Sequence, residues 1–437
     1  MKYYCIGIKG SGMATLAEIL FDLGNSVSGY DDYKPHKFTQ DGLDKRGIKI
    51  YYDNEHEIDK DTIVTYSKAF SLEHPEIIRV KSLGLKIIEY NELLGKLSSE
   101  FKTIGVSGTH GKTTTSTMLS HVLSSTKGCN YFIGDGTGFA KKENELFVLE
   151  SCEYNRHFLS YHPYYTVVTN IELEHTECYK DINEIIDTFS KFANKAKTVV
   201  ACGDDLNVRK MHLNNKVIYY GFNDNNDVVA KNIVLSKSGS SFDVYMDKKL
   251  YAHFDIPVFG DHMVLNALAC ITICNLEGVR KEDIHNLLET FSNAKRRFKE
   301  KAFGDVVTID DYAHHPTEIK VTIESARQKY PDKEIVAVFL PNTYSRTEAL
   351  LNDFINALKE ADKAYVMDIH CDREKKEDYP GVSSDEIIKE VPNAEKISID
   401  TVDKLLKHKN AAICFMSCTN IYEIENKFEE LLKNKNN

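Results

Sequence analysis

The sequence lacks the run of roughly 20 apolar residues that a membrane-spanning helix needs. Its first apolar region, residues 1–24, is interrupted by glycines and contains no signal-peptide cleavage region. These absences argue against a membrane protein and against a secreted one. We therefore expect a cytoplasmic location.

The sequence also has fewer basic than acidic residues. The chain carries 55 lysines and arginines against 66 acidic residues, a net charge of −11. This is the wrong sign for general attraction to nucleic acid or to an anionic membrane, so we expect small-molecule partners. A local basic group such as Lys295, Arg296 and Arg297 can still bind phosphate.

The ten cysteines include no CxxC pair. Cys270 and Cys274, like Cys414 and Cys418, are four residues apart within apolar segments. This pattern favours buried thiols in a reducing compartment over a zinc site or disulfide bonds. The chain also shows no repeat of solenoid length and, apart from the polar tail at 433–437, no low-complexity tract.

What is present is an alternation of strand and helix patterns. With 437 residues, 42% hydrophobic and 28% charged, the chain fits a globular protein of two or three domains. Residues 1–97 alternate short apolar strands with amphipathic helices, which indicates a parallel sheet with crossover helices. Similar α/β patterns follow, so we predict three domains, at 1–97, 98–299 and 300–437.

One segment departs from this alternation. Residues 227–259 alternate polar and apolar residues around a Ser-Gly turn, which predicts antiparallel hairpins. Among the helices, we expect one at 13–23, one near 183–195, and two more at about 262–276 and 281–292.

The most informative motif is KTIGVSGTHGKTTT, residues 102–115. Five residues separate Gly105 from Gly111, so the strict Walker A spacing of four fails. The physical components remain: a strand, glycines that let backbone N–H groups converge, and the start of a helix. Lys112 suits the β- and γ-phosphates, and the Thr113 hydroxyl suits Mg²⁺. These features predict an ATP-using enzyme.

A second glycine turn, GIKGSGM, occupies residues 7–13 between a strand and a helix. Asp31 lies 19 residues after Gly12, at the end of the next strand. Taken alone, this spacing suggests NAD binding. The physics selects any diphosphate at a helix N-terminus, however, and UDP carries the same group, so both ligands stay open on these residues.

Several charged residues follow strands. Glu150 ends the run LFVL, where an α/β sheet places metal and phosphate ligands; Glu153 competes with it, and a solvated acid is the alternative. His175 also follows a strand, but an isolated histidine there is more often structural. We do not interpret IDDYAHHPTE, residues 309–318, as a metal site, because Pro316 begins the next helix.

The segment GVSGTHGKTTT, residues 105–115, resembles the phosphate loop of the Mur ligases, the ATP-dependent amide-forming enzymes of peptidoglycan assembly. The resemblance continues in family order over about residues 5–350. Its further segments are FVLESCEYNRHFL, VVTNIELEHTECY, GDHMVLNALA, AKRRF, IDDYAHHPTEI and YSRT.

The resemblance implies an α/β fold of three domains. The first is Rossmann-like but binds the UDP of a sugar substrate, the second is a P-loop-type ATPase domain with added antiparallel strands, and the third is a Rossmann-like domain that closes over the reaction. This implication favours a UDP-sugar over NAD at the first glycine turn.

The resemblance also implies roles for single residues. The residues implied to bind substrate are Gly10, Ser11, Gly12, Met13, Asp31, Tyr312, His315 and Arg346. Of these, Tyr312 and His315 would lie near nucleotide or sugar substrate, and Arg346 near the acyl part of substrate or product. The residues implied to bind ATP are Gly108, Thr109, His110, Gly111, Lys112, Thr113, Thr114, His262, Asn266 and Asp311. The residues implied to be catalytic are Lys112, Glu150, His175 and Arg297. Arg297 or its neighbour Arg296 is implied to hold phosphate. Two Mg²⁺ ions are implied, one at Thr113 and Glu150 and one at Glu150 and His175.

The implied reaction is the phosphorylation of the lactyl carboxylate of UDP-N-acetylmuramate by ATP, followed by attack of the L-alanine amine on the acyl phosphate. Such a reaction needs positioning and charge neutralisation more than a protein nucleophile. The lack of a Ser-His-Asp or reactive-cysteine signature agrees with this.

The sequence departs from the family at two places. Asn342 stands where the family has histidine, and residues 417–419, Ser-Cys-Thr, stand where it has Gly-Ala-Gly. These departures leave two alternatives open, a Mur-type ligase for a different amino acid or peptide and a binding protein that has lost turnover. The glycine turn at residues 7–13 leaves a third alternative, a nicotinamide-dependent oxidoreductase.

Overall fold

The computed structural model describes residues 1–175, 178–371 and 374–436. The chain divides into two compact units. One comprises residues 1–231, 243–254 and 265–291, and the other comprises residues 232–242, 255–264 and 292–437. Across the described part of the chain, the helices are all too short or too polar to cross a bilayer.

The first sheet is wholly parallel, with strand order β3-β2-β1-β4-β5. Successive residues of β1 face opposite sides: Tyr3 and Cys5 enter one core, whereas Tyr4 and Ile6 enter another. Burial on both faces is typical of a parallel sheet covered by helices. The elements are β1 (Lys2–Ile6), α1 (Ser11–Asp22), β2 (Ser26–Tyr30), α2 (Gln40–Lys45), β3 (Lys49–Tyr51), β4 (Thr62–Tyr66), α3 (Pro75–Ser82), β5 (Lys86–Glu89) and α4 (Tyr90–Ser99).

The second sheet has ten strands in the order β15-β14-β13-β12-β11-β10-β6-β9-β7-β8. Strand β6 lies between β9 and β10 and is parallel to both, so the carboxyl ends of these three strands lie side by side. The strands are β6 (Lys102–Ser107), β7 (Cys129–Ile133), β8 (Thr137–Phe139), β9 (Leu146–Glu150), β10 (Tyr165–Val168), β11 (Thr198–Cys202), β12 (Lys216–Gly221), β13 (Val228–Ser236), β14 (Gly239–Met246) and β15 (Lys249–Ile256). The helices are α5 (Lys112–Thr126), α6 (Ile182–Ala193), α7 (Leu206–Arg209), α8 (Asp261–Leu276) and α9 (Lys281–Glu289), with a 3-10 segment at Tyr154–Ser160.

The third sheet has the order β16-β17-β21-β18-β19-β20, with β16 antiparallel to β17 and the other pairs parallel. Alternate residues of β18 enter two cores, one on each face. The strands are β16 (Lys299–Phe303), β17 (Val306–Asp311), β18 (Glu334–Phe339), β19 (Lys363–Val366), β20 (Ala394–Lys396) and β21 (Ala411–Met416). The helices are α10 (Pro316–Lys329), α11 (Tyr344–Ala349), α12 (Leu351–Leu358), α13 (Ser384–Glu390) and α14 (Tyr422–Asn436), with 3-10 segments at Lys376–Asp378 and Ile399–Lys407.

The predicted fold class is confirmed, since three α/β sheets with crossover helices are present. The hairpins expected over 227–259 appear as β13, β14 and β15, and α8 begins one residue before its predicted start. Strands of three residues, β3, β8 and β20, were not predicted because so short a run has no readable period. The domain boundaries stay a prediction.

Candidate active site

The phosphate loop joins β6 to α5 through two glycines in conformations that other residues rarely adopt. Gly108 has φ 140° and Gly111 has φ 82°. A Cβ on Gly108 would lie 1.9 Å from Thr169 Oγ1, and one on Gly111 would lie 2.7 Å from Asn266 Oδ1. The loop therefore needs glycine at both positions, and Asn266 packs directly against it.

Hydrogen bonds from the segment after β10 hold the phosphate loop in place. Thr109 N donates to Asn170 O at 3.0 Å, and His110 N donates to Asn170 Oδ1 at 2.8 Å. The hydroxyl of Thr169 donates to His110 O at 2.5 Å, and Glu172 N donates to Thr109 Oγ1 at 2.8 Å. These bonds position the loop before any ligand is bound, which lowers the entropy cost of binding.

Lys112 is the first residue of α5, and its amine lies inside the loop. The Nζ atom donates to Thr109 O at 2.9 Å and lies 3.0 Å from each carboxylate oxygen of Glu153. Burial lowers the pKa of Lys112, but the charges of Glu153 and Glu150 outweigh burial, so the net pKa is raised. The lysine therefore stays cationic where a phosphate would bind.

Glu150 and Thr113 meet at the end of β9. The Thr113 hydroxyl donates to Glu150 Oε1 at 2.9 Å, and Gly134 N donates to Glu150 Oε2 at 2.7 Å. The β6–β9 register pairs Glu150 with Val106, immediately before the loop. A carboxylate and a hydroxyl are the hard oxygen donors that Mg²⁺ prefers, so this pair fits the predicted metal.

Glu153 is the residue that sequence reasoning set aside in favour of Glu150. Its side chain is 4% exposed, contacts Lys112, and lies 3.6 Å from His175 Nε2. Burial raises the pKa of Glu153, but Lys112 and His175 outweigh burial, so the net pKa is lowered. Its position three residues after Glu150 was the only sequence signal for this role. The role of His175 at a metal stays a prediction.

The first glycine turn joins β1 to α1. Gly7 has φ 79°, and its N–H donates to Tyr30 O at 2.7 Å. Gly10 is the N-cap of α1, and a Cβ on Gly12 would lie 2.6 Å from the Tyr90 hydroxyl oxygen. The glycines therefore let α1 begin close to its neighbours, with the anion-attracting end of the helix at the carboxyl edge of the sheet. Ser11 and Met13 belong to the first turn of that helix.

Asp31 binds the protein's own backbone. It is 5% exposed and accepts from Lys9 N at 2.9 Å and from Tyr33 N at 3.0 Å. The Lys9 side chain is 1% exposed and donates to Tyr33 O at 2.8 Å and Pro35 O at 2.7 Å. Asp31 and Lys9 together tie the glycine turn to the segment after β2.

At the end of β17, two adjacent arginines have different environments. Arg296 donates to Ser417 O at 2.9 Å, pairs with Asp310 at 3.3 Å, and stacks 4.4 Å from the Tyr422 ring centre. Arg297 lies 3.9 Å from Glu318 Oε1. Arg296 therefore bonds to the backbone and side chains of the third sheet.

Asp311 and His315 belong to the same edge of the third sheet. Asp311 accepts from Phe298 N at 2.8 Å and Ala313 N at 2.9 Å. Burial raises the pKa of Asp311 to about 6, against the charge of Arg297. His315 is the N-cap of α10 and accepts from Thr317 N at 3.3 Å.

Two other predicted residues also lie near Arg297. The Tyr312 ring centre is 5.2 Å from the Arg297 guanidinium carbon. Burial, followed by the charge of Arg297, lowers the pKa of His262 to about 4. His262 is therefore neutral at pH 7 and suits hydrogen bonding better than charge pairing.

The positions that depart from the family are built into the third sheet. Asn342 Nδ2 donates to His370 O at 3.1 Å, and Ser417 Oγ donates to Leu340 O at 2.9 Å. Arg346 lies on α11, whose first N–H groups, those of Tyr344 and Ser345, are bound by the Glu374 carboxylate. The departures thus form hydrogen bonds of their own instead of leaving gaps.

Comparison with known proteins gives consistent matches along the chain. Residues 2–102 match the Mur ligase family catalytic domain, residues 106–274 the Mur ligase middle domain, and residues 296–414 the Mur ligase glutamate ligase domain. The crystal structure of UDP-N-acetylmuramate-alanine ligase from Thermotoga maritima is similar over 100% of both chains, with 25% identity and a TM-score of 0.82.

Two further structures share the fold. A murein peptide ligase from Psychrobacter arcticus is 21% identical over 99% of both chains, with a TM-score of 0.69. The MurF ligase from Thermotoga maritima, solved in complex with ADP, is 17% identical over 86% of this chain and 90% of its own, with a TM-score of 0.64.

Proposed function

Because the chain belongs to the Mur ligase family, whose members are ATP-dependent ligases of peptidoglycan precursors, we propose that it joins L-alanine to UDP-N-acetylmuramate. The observation that carries the proposal is the arrangement at the phosphate loop. There, a buried cationic lysine and a hydroxyl–carboxylate pair lie at adjoining strand ends. Phosphoryl transfer requires these functional groups, a cation beside the phosphates and oxygen ligands for Mg²⁺.

In the proposed first step, a lactyl carboxylate oxygen attacks the γ-phosphorus of ATP. A bond forms between that oxygen and phosphorus, the bond to the β-phosphate oxygen breaks, and ADP leaves. Lys112 balances the charge of the transferred group, and the loop N–H groups orient it. Magnesium held by Thr113 and Glu150 would supply further charge neutralisation.

In the proposed second step, the amine of L-alanine attacks the acyl carbon. The C–N bond forms, the C–O bond to phosphate breaks, and the amine loses a proton. A free carboxylate is a poor acyl donor, and phosphorylation supplies the leaving group. Within this scheme, residues 1–97, 98–299 and 300–437 serve UDP-sugar, ATP and amino-acid binding.

The first glycine turn suits the diphosphate of a UDP-sugar or of a nicotinamide cofactor, and membership of the Mur ligase family favours the UDP-sugar. In dinucleotide-binding folds, a carboxylate at the end of the second strand accepts from ribose hydroxyls. Asp31 occupies that position here, but it is buried and already accepts from two backbone N–H groups. Because both ligands carry a ribose, these bonds do not distinguish them, and the role of Asp31 in substrate binding stays a prediction.

A second candidate function differs from the first in the amine that is joined to the acceptor. Asn342 and residues 417–419 differ from the family and make their own hydrogen bonds, so a different amino acid or peptide is the alternative acceptor amine.

Phosphate release tests the proposal. Purified protein is incubated with ATP, Mg²⁺, UDP-N-acetylmuramate and single amino acids, and we expect release with L-alanine. Release with glycine or serine alone would reassign the amine. Absence of release with every amine would favour a protein that only binds, and binding of NADH without UDP-sugar would favour an oxidoreductase.

A further inference from the structure

His157 lies in the 3-10 segment Tyr154–Ser160, just after the Glu150 and Glu153 carboxylates. Its ring centre is 6.4 Å from the ring centres of both Tyr90 and Tyr154. The segment is packed firmly on α4, because Asn91 Nδ2 donates to Ser160 Oγ at 2.9 Å and a Cβ on Gly95 would lie 2.2 Å from Ser160 O. The position of His157 is therefore fixed by the fold.

The two tyrosines connect His157 to the two predicted phosphate sites. The Tyr90 hydroxyl lies against Gly12, in the first turn of α1. On the other side, the Tyr154 ring centre is 5.0 Å from that of His175, which in turn contacts Glu153, the partner of Lys112. His157 thus lies between the turn that suits a diphosphate and the lysine that suits the γ-phosphate.

The chemistry of His157 is that of a neutral hydrogen-bonding group. Among the residues that the structure describes, its buried Nε2 atom has no hydrogen-bond partner. A buried polar atom without a partner is unfavourable, and a ligand group that bonds it removes that cost. Burial, followed by the charge of Lys68, lowers the pKa of His157 to about 4 against the opposing charge of Glu89, so the imidazole is uncharged at pH 7.

The proposed acceptor has a matching order of groups. Its diphosphate is at one end, its lactyl carboxylate is at the other, and the sugar between them carries only uncharged hydroxyl and acetamido groups. We propose that His157 binds one of these uncharged groups and so positions the sugar between the two phosphate-binding turns. This inference rests on the proposed function, and it makes His157 a positioning residue for the acceptor.

The test compares His157→Ala and His157→Gln with the wild-type protein. Loss of one neutral hydrogen bond should raise the KM for UDP-N-acetylmuramate about fivefold in His157→Ala, with kcat and the KM for ATP nearly unchanged. His157→Gln keeps a donor and an acceptor and should recover part of the loss. His212→Ala, at an exposed histidine, is the matched control.

Calorimetry with a truncated ligand separates this role from a purely structural one. UDP lacks the N-acetylmuramate sugar, so the wild-type protein and His157→Ala should bind UDP with equal affinity. His157→Ala should bind UDP-N-acetylmuramate more weakly than the wild-type protein does. Equal weakening of both ligands, or a fall in kcat with unchanged KM, would overturn the assignment of His157. Failure of the proposed function itself would appear differently, because the wild-type protein would then release no phosphate with L-alanine or would not bind the UDP-sugar.

Discussion

The turn after β1 and the turn after β6 have a similar backbone arrangement but differ in the surroundings of their charged side chains. Each leaves a parallel strand through one or two glycines with positive φ, Gly7 in the first turn and Gly108 and Gly111 in the second, and enters a helix of 12 or 15 residues. After β6, the lysine lies between loop carbonyls and a buried carboxylate, with a second carboxylate beside it. After β1, Lys9 is buried and its amine donates to the carbonyls of the segment that follows β2.

This difference separates binding from chemistry. A helix N-terminus with converging N–H groups is sufficient to hold a phosphate. Moving a phosphoryl group requires, in addition, fixed charges that balance the transition state. At the turn after β6 the lysine faces the loop and two carboxylates, whereas the charged residues described at the turn after β1, Lys9 and Asp31, bond to backbone groups. We therefore expect substitutions after β6 to affect turnover and substitutions after β1 to affect acceptor binding.

The largest effect is expected for Lys112→Ala. Removing a charge that faces the transferred phosphoryl group should lower turnover by about 10³-fold or more, while binding of the UDP-sugar at the first turn persists. Phosphate release and calorimetry measure the two properties. Lys127→Ala, at the exposed opposite end of α5, is the matched control.

Folding must be separated from chemistry in this experiment, because Lys112→Ala leaves the buried Glu153 without its main partner. Breaking a buried pair in this way costs about 3–5 kcal/mol. The double variant Lys112→Ala/Glu153→Gln removes both charges, so it should recover thermal stability without recovering turnover. If UDP-sugar binding falls as far as turnover in the double variant, the two turns do not act separately.

Glu150→Gln tests the metal part of the same turn. The substitution keeps the shape and one acceptor oxygen but removes the charge, so we expect turnover to fall by about 10²-fold. The Mg²⁺ concentration for half-maximal phosphate release should rise. Glu145→Gln, an exposed acid just before β9, should leave both values unchanged. An unaltered Mg²⁺ midpoint in Glu150→Gln would remove Glu150 from the metal site.

The sequence predicts the parts of each turn whose residues are close together along the chain, and it does not predict contacts between residues far apart along the chain. Strand, glycines, Lys112 and Thr113 lie within 14 residues, so their local pattern predicts the phosphate loop. The ion pair of Lys112 with Glu153 joins residues 41 apart in sequence, and periodicity carries no information on it. Family order selected Glu150, whereas the structure shows that both carboxylates face the loop, each with a different partner.

Lys9 is the clearest position that sequence reasoning missed. A lysine inside a glycine turn is expected to be exposed, since charged side chains are rarely buried without partners. Its partners are carbonyls from residues 33 and 35, which reach it only because β2 pairs with β1. The short strands and the burial of Asp31 were missed for the same reason, because each depends on tertiary pairing.

Lys9→Met tests the turn after β1. It removes a buried charged donor from the part-buried carbonyls of Tyr33 and Pro35, so we expect a loss of about 1–3 kcal/mol in the free energy of unfolding and a lower Tm. Weaker binding of the UDP-sugar should accompany it, with the KM for ATP unchanged. Lys34→Met, in the exposed part of the same segment, is the control. A change in the KM for ATP would show that the two turns are coupled.

The smallest effect concerns pH. The lowered pKa of Glu153 means that its stabilisation is present above the ordinary carboxyl range and is lost only as the pH falls through the folded value. The raised pKa of Lys112 gives the opposite sign, with stabilisation lost only above the ordinary lysine range. Binding of a non-hydrolysable ATP analogue should therefore be constant between about pH 7 and 9.

In Glu153→Gln, binding of the ATP analogue should no longer be constant at the alkaline end of this pH range. Without the Glu153 charge, the burial that lowers the pKa of Lys112 is offset mainly by Glu150, because burial raises the pKa of Cys152 to about 12 and keeps that thiol neutral. The lysine should therefore begin to lose its proton at the alkaline end of the range. Analogue binding should then weaken toward about pH 9 in the variant but not in the wild type. UDP binding at the turn after β1 should stay flat in both proteins. A flat profile for the analogue in Glu153→Gln would mean that Glu153 holds Lys112 in position without maintaining its charge.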